Sequence, residues 1–203
     1  IAERRARFRQ LHESGCFLIP NPWDVGSARY LQSLGFRALA TTSSGSAFAR
    51  GRPDGGMTLA EVLEHVRTLV EACDVPVNAD FEDGHAASED ELSRNVDLCV
   101  RTGVAGLSIE DSTGDAARPL YPFDEAVARM RAARAAIDAA GGDVLLVGRA
   151  ECFLRGHPEP LAEAIRRLVA YAEAGADCLY APGARTRAEI EAIVRAVAPK
   201  PVN

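Results

Sequence analysis

Three apolar runs in this chain each end in charge: Val75–Asp83 reads VPVNADFED, Gly106–Asp111 reads GLSIED, and Val144–Glu151 reads VLLVGRAE. In a strand, alternate side chains share a face, so Asn78, Asp80 and Glu82 are expected to point one way and Val77, Ala79 and Phe81 the other. The same parity groups Ser108 with Glu110 and Arg149 with Glu151. In a parallel sheet the carboxyl-terminal strand ends come together, so these acids and Arg149 are expected on one rim. Asp80, Glu82 and Glu110 are hard oxygen donors of the kind Mg²⁺ accepts, and Mg²⁺ uses only one or two direct carboxylates. Arg149 offers a planar guanidinium that can grip a substrate carboxylate bidentately, with an internal ion pair to Glu151 or Glu110 as the competing reading. Asp83 and Asp111, of opposite parity, are expected to cap or to face solvent.

The neighbouring segments add weaker signals. Ser43, Ser44 and Gly45 supply hydroxyls and backbone amides that can bind an oxyanion, and Asp54 lies in a Pro-Asp-Gly turn. His85 stands just beyond the third strand and titrates near neutrality, which makes it a catalytic candidate. The four histidines form no ligand set, which argues against zinc. The five cysteines are far apart, with no C-x-x-C pair, so a disulfide scaffold is not expected. Cys16, Cys99 and Cys178 read as small buried hydrophobes.

To position that rim the chain must alternate strands and helices, and its pattern does so. A short helix at Ala2–Ser14 is followed by strands beginning at Cys16, Arg37, Val75, Leu107, Val144 and Asp177. Helices are expected over 25–34, 59–72, 89–102, 123–140, 159–174 and 187–197, and loops over 44–56 and 112–122. Strict alternation with short connections predicts a (β/α)₈ TIM-type barrel, residues 1–203 forming a single domain. The sequence stops at the opening of a seventh strand, Pro199–Asn203, so a C-terminally truncated barrel is expected.

Composition narrows the partners. With 203 residues, 47% hydrophobic and 26% charged, the chain can bury a substantial core. A formal charge of −6 with scattered arginines argues against nucleic acid and for small molecules. No apolar run approaches the roughly 20 residues of a membrane span, and the protein reads as cytoplasmic. Neither G-x-G-x-x-G after the first strand nor a P-loop is present.

As a set and in order, Asn21–Arg29 (NPWDVGSAR), Thr42–Gly45 (TSSG), Gly51–Asp54 (GRPD), Asn78–Gly84 (NADFEDG), Ile109–Asp111 (IED) and Arg149–Phe153 (RAECF) resemble the isocitrate lyase/phosphoenolpyruvate mutase superfamily. The resemblance spans essentially the whole chain. It implies a (β/α)₈ barrel, a homo-oligomer and Mg²⁺ or Mn²⁺ held by Asp80, Glu82 and Glu110 with help from Asp54. It also implies a small carboxylic acid bound by Trp23, Ser43, Ser44, Gly45 and Arg149. The implied activity is metal-dependent lysis of a C–C bond in a small 2-oxo or 2-hydroxy acid through an enolate, as in oxaloacetate decarboxylation or malate-type retro-aldol cleavage. Arg149, Ser43 and His85 are its catalytic candidates. Phosphoenolpyruvate or phosphonopyruvate chemistry and an inactive oxo-acid-binding barrel are the alternatives.

The sequence also departs from that pattern. Asn78 stands where the superfamily's first metal aspartate is expected. The Ser112–Tyr121 segment is short and lacks the lyases' K-[KR]-C-G-H cysteine, which disfavours isocitrate-type cleavage. Tyr180–Gly183 replaces the mutase's histidine and the lyases' glutamate.

Overall fold

The computed structural model describes residues 1–203. Five parallel strands lie in sequence order, β1 (Leu39–Ala40), β2 (Val77–Asp80), β3 (Gly106–Glu110), β4 (Leu145–Arg149) and β5 (Cys178–Tyr180). Eight helices accompany them: α1 (Ala2–Leu11), α2 (Val25–Ser33), α3 (Ser43–Phe48), α4 (Leu59–Ala72), α5 (Glu89–Arg101), α6 (Phe123–Ala139), α7 (Pro160–Glu173) and α8 (Arg187–Val197). Neighbours in sequence are neighbours in the sheet, as crossover connections through helices require.

Local chemistry explains most helix starts. Thr58 and Thr186 form reciprocal capping boxes with Glu61 and Glu189, and Asp24 does the same with Ser27. Ser88 caps α5, whose first turn carries Glu89, Asp90 and Glu91, the sign of charge favoured at that end. The inner faces of the helices pack on the strands in one continuous core that includes Val66, Phe81, Leu107, Met130, Leu146 and Tyr171.

The helix spans agree with the sequence expectation to within a few residues, whereas three other features differ. Cys16–Pro20 is not a ladder strand; the Ala40 amide donates to the Pro20 carbonyl, and Phe17 and Ile19 pack on the cluster of Phe8, Ala38, Ala105 and Leu145. The expected loop at 44–56 begins instead as α3, started by the Thr42 hydroxyl accepting from the Gly45 amide. Cys16 is exposed rather than buried. At the other margin Val202 bridges Leu179, with the Leu179 amide donating to Pro201 and the Asn203 amide to Leu179.

The amino-terminal end of the sheet is closed by α1. Phe8, 1% exposed, packs on Ala38, Ala105 and Leu145. Arg5 donates to the Val104 and Val100 carbonyls and to Asp143. The opposite end, where the charged residues lie, is left to chemistry. No helix is long and apolar enough to cross a membrane.

Candidate active site

Strand register brings the rim together. Asp80 is level with Ser108, Glu110 with Arg149, and Arg149 with Tyr180. Arg149 is the centre of the group: its Nε lies 2.6 Å from Glu151 Oε1 and 3.3 Å from Glu110 Oε2, and its NH1 lies 3.3 Å from Asp80 Oδ1. The Tyr180 ring is 5.5 Å from the guanidinium carbon. Of the two readings of Arg149, the structure shows the internal ion pair, to both Glu151 and Glu110, and shows it at the rim itself.

Two of the expected parities end earlier than the sequence suggests. β2 stops at Asp80, and Glu82 lies in a turn with φ of 50°, a left-handed value uncommon for a side-chain-bearing residue. Glu82 still lies at the rim, its carbonyl accepting from the Glu110 amide at 2.9 Å. Glu151 likewise lies beyond β4, yet its carboxylate, 1% exposed, turns back onto Arg149. The turn carrying Glu82 is held by neighbouring side chains: Arg129 donates to the Asp83 and Ala86 carbonyls, and Asn95 to those of Gly84 and His85.

Ser43 also joins the rim, donating to Asp80 Oδ2 from its amide at 2.9 Å and its hydroxyl at 2.8 Å. Trp23 stacks edge-on to Phe48 and lies so close to α3 that a Cβ at Gly45 would come within 2.5 Å of its ring. The Gly45 amide is committed to Thr42, and the Ser44 hydroxyl pairs with that of Thr42. His85, also at φ of 50°, places Nε2 3.6 Å from Glu82, beyond hydrogen-bond reach. Burial pushes its pKa down.

Electrostatics single out this rim. Burial first, then Asp80, Asp54 and Asp83, lift the Glu82 carboxyl to about 7. Burial lifts Glu110 to about 8 against the pull of Arg149, with Glu151, Asp80 and Glu82 adding to the rise. Burial works against the Arg149 charge, but Glu110, Asp80 and Glu151 outweigh it and raise its pKa. One guanidinium thus serves three carboxylates while a fourth lies nearby.

The residues expected as a metal shell need a correction. No group of three or more His, Cys, Asp or Glu side chains stands at ligand spacing. Asp80 and Glu110 meet through Arg149, and Asp54 is exposed on its turn, its Oδ1 accepting from the Gly55 amide. The donor chemistry nevertheless fits a hard cation: the groups are all oxygen, they outnumber the one guanidinium that pairs with them, and burial raises the pKa of Glu82 and Glu110, so a cation would compete with protons there. Asn78 is buried in the row below Asp80, and its Oδ1 has no hydrogen-bond partner.

Asp111 is a second correction. Far from facing solvent, it is 2% exposed and bonded to Arg167, Tyr171 and the Glu151 amide. Nor is Asp83 free: it accepts from the Tyr121 hydroxyl and the His85 amide. Cys152, just past β4, is buried and its thiol is pushed up to about 12, so it is inert. Parity paired Glu151 with Arg149, but it could not have found the partners of Asp111, which come from the exit of β4 and from α7. A polar depression of about 520 Å³ lies at the opposite end of the sheet, but there Arg9 and Arg134 pair with Asp177 and Asp138.

The chain is similar to known proteins over nearly its whole length. A family model described as phosphoenolpyruvate phosphomutase matches residues 8–203. An oxaloacetate decarboxylase of Paraburkholderia xenovorans (strain LB400) is 34% identical over 204 aligned residues, covering 96% of this chain and 66% of that protein. The chain thus spans about two thirds of that relative's length. A putative lyase/mutase from Burkholderia cenocepacia J2315 superposes with a TM-score of 0.96 at 45% identity, over 100% of this chain and 73% of that one. An oxaloacetate acetylhydrolase solved with its product oxalate has a TM-score of 0.90 at 28% identity, over 99% and 71%. With its charged strand ends and this match over nearly its full length, the chain belongs to the phosphoenolpyruvate phosphomutase family, within the isocitrate lyase/phosphoenolpyruvate mutase superfamily.

Proposed function

We propose that the protein is a metal-dependent lyase that cleaves a C–C bond of a small 2-oxo or 2-hydroxy acid, with oxaloacetate decarboxylation as the leading case. The observation that carries this reading is Arg149 bracketed by Asp80, Glu110 and Glu151 where three strands end. An oxaloacetate decarboxylase among the relatives and an oxaloacetate acetylhydrolase among the structural neighbours support the substrate class.

Asp80, Glu82 and Glu110 would hold Mg²⁺ or Mn²⁺, with Asp54 adding charge from the neighbouring turn. When bound, the cation supplies Lewis-acid polarisation of the substrate's oxygens. Arg149 takes the substrate carboxylate: Nε and NH1 carry its contacts to the acids, which leaves NH2 for an incoming oxygen. Glu151 fixes the plane of the guanidinium through Nε. Ser43 fixes Asp80 by holding Oδ2 from two donors, so Oδ1 faces Arg149. In oxaloacetate the C3–C4 bond breaks, CO2 leaves, and the bond's electron pair moves through C2–C3 onto the C2 carbonyl oxygen, giving the enolate of pyruvate. Solvent at the rim protonates the enolate carbon. Trp23, just ahead of α2, and Phe48, at the end of α3, border the substrate, and His85 stands 3.6 Å from Glu82.

The same reading takes the curled sheet as the larger part of a (β/α)₈ barrel. Phe17 and Ile19 at one margin and Val202 at the other line a single groove of about 210 Å³, the position a further strand would fill. The test is pyruvate release from oxaloacetate and substituted malates, with Mg²⁺ and with chelator. Turnover that chelator abolishes is expected; oxo-acid binding without turnover would overturn the lyase in favour of a binding barrel. Inorganic phosphate release from phosphonopyruvate would place the chain with the phosphonate enzymes instead.

A further inference from the structure

We propose that Asp111 is a positioning residue that sets the orientation of Arg149 through Glu151 and ties it to the neck of the 112–121 segment. The inference rests on the reading of Arg149 as the group that grips the substrate carboxylate.

The Asp111 carboxylate is saturated by three donors from two different parts of the fold, the exit of β4 and α7. Its Oδ1 accepts from the Glu151 amide at 2.8 Å. Its Oδ2 accepts from the Tyr171 hydroxyl at 2.6 Å and from Arg167 NH1 at 3.0 Å. Its own carbonyl accepts from the Tyr121 amide at 2.9 Å, and Arg167 NH2 donates to the Tyr121 carbonyl at 3.0 Å. Both backbone groups of Tyr121, the residue that closes the 112–121 segment, are therefore held by Asp111 or by its partner Arg167. The Ser112–Leu120 bridge closes the same neck one step further out.

The path to the site is short. Glu151 lies past the last ladder residue of β4, one step beyond the Ala150 amide that still donates to the Tyr180 carbonyl. Its carbonyl accepts from the Arg155 amide of the following turn, and its amide is anchored across the rim by Asp111. Its buried carboxylate then meets Arg149 Nε at 2.6 Å, the shortest of the guanidinium's three carboxylate contacts. Without the Asp111 bond the Glu151 amide loses its partner while its neighbours stay bonded, the Glu151 peptide can tilt between them, and the carboxylate loses its aim. Arg149 is then left to Asp80 and Glu110 at 3.3 Å, and the guanidinium turns toward those acids and away from an incoming carboxylate. Charged hydrogen bonds among buried groups depend steeply on such alignment. A carboxylate that served packing alone would need its bonds to α7; the bond across to the Glu151 amide is what makes it a positioning group.

The experiment uses the 1–203 chain with Asp111→Asn and Tyr171→Phe. Steady-state kinetics with oxaloacetate are read beside calorimetric oxalate binding and a thermal melt. Asp111→Asn is expected to raise KM and weaken oxalate together by about tenfold, with kcat changed far less, the signature of lost carboxylate binding. Tyr171→Phe, which removes one donor, is expected to move both in the same direction by about threefold. A purely structural role would instead lower the active fraction, reducing kcat at unchanged KM and oxalate affinity, and that result overturns the proposal. Should Asp111→Asn fail to fold, wild-type KM and oxalate affinity in Tyr171→Phe overturn it. A crystal structure of the more stable of the two variants reads the claim without turnover: Glu151 must have shifted from Arg149 Nε, and an unmoved contact overturns the proposal even if the wild-type protein cleaves none of these acids. Absence of turnover in the wild-type protein would count against the lyase reading alone.

Discussion

Glu110 shows at the scale of one side chain how this rim stores unfavourable charge. Its carboxyl is lifted to about 8 by burial and by Glu151, Asp80 and Glu82, against the ordinary carboxylate value it regains when the chain unfolds. A folded-state pKa raised in this way gives stability that is fully present below the unfolded value and is lost as pH rises through the folded one. For Glu110 that window runs from the ordinary carboxylate range to about 8, and for Glu82 to about 7. Chelator-treated protein is therefore expected to melt progressively lower between pH 5 and 8. The Glu110→Gln variant should flatten that slope and melt on the order of a few degrees higher than wild type at pH 8. Differential scanning calorimetry across this range checks both; an unchanged slope in the variant would refute the assignment. Mg²⁺ should bind more tightly as pH rises, because it competes with the protons these two groups hold.

At the scale of elements, the site depends on the turns that leave the strands. The turn after β2 carries Glu82, Asp83 and His85 and reverses within a few residues, which requires Gly84 at φ of 80°. A Cβ there would lie 2.1 Å from Leu92 Cδ1 on α5. Gly84→Ala is thus expected to cost about 2–4 kcal/mol, combining left-handed backbone strain with overpacking. Chemical denaturation measures that loss, and a cost below about 0.5 kcal/mol would contradict the account of the turn. The same elements show what was legible beforehand. Helix spans were readable because caps such as Thr58-x-x-Glu61 and Thr186-x-x-Glu189 are local signals. Asp80, Glu110 and Arg149 were readable because strand parity is local too. Helix α3 was not, since Ser43–Phe48 is a Ser- and Gly-containing stretch whose helical state comes from the Thr42 cap and from contact with Asp80 and Trp23. Asp111 was misread for a related reason: burial of a carboxylate is decided by Arg167 and Tyr171, some 60 residues later on α7. Parity tells which way a side chain points, and only the fold tells what waits there.

Across the whole molecule the two ends of the sheet have opposite duties. At the amino-terminal end Phe8 fills the space between Ala38, Ala105 and Leu145, and Arg5 ties α1 to the Val100 and Val104 carbonyls, so α1 closes the sheet as a plug. At the carboxyl-terminal end like charges are gathered at the cost of stability, because function needs them there. Substitutions at the two ends should therefore separate stability from activity. Phe8→Ala removes a fully buried ring and is expected to destabilise by about 3–5 kcal/mol, roughly a 10 °C fall in melting temperature for a chain of this size. Because Phe8 makes no contact with the rim, the folded variant should keep wild-type KM for oxaloacetate below its melting range. Asp80→Ala should do the reverse: it relieves repulsion on Glu82 and Glu110, leaving the melting temperature within a few degrees of wild type, while metal-dependent turnover is lost. Melting curves and steady-state kinetics on the same two preparations give all four values. If Phe8→Ala raised KM, or Asp80→Ala unfolded the chain, the division of labour between plug and rim would be wrong, because each end would then be carrying the other's duty.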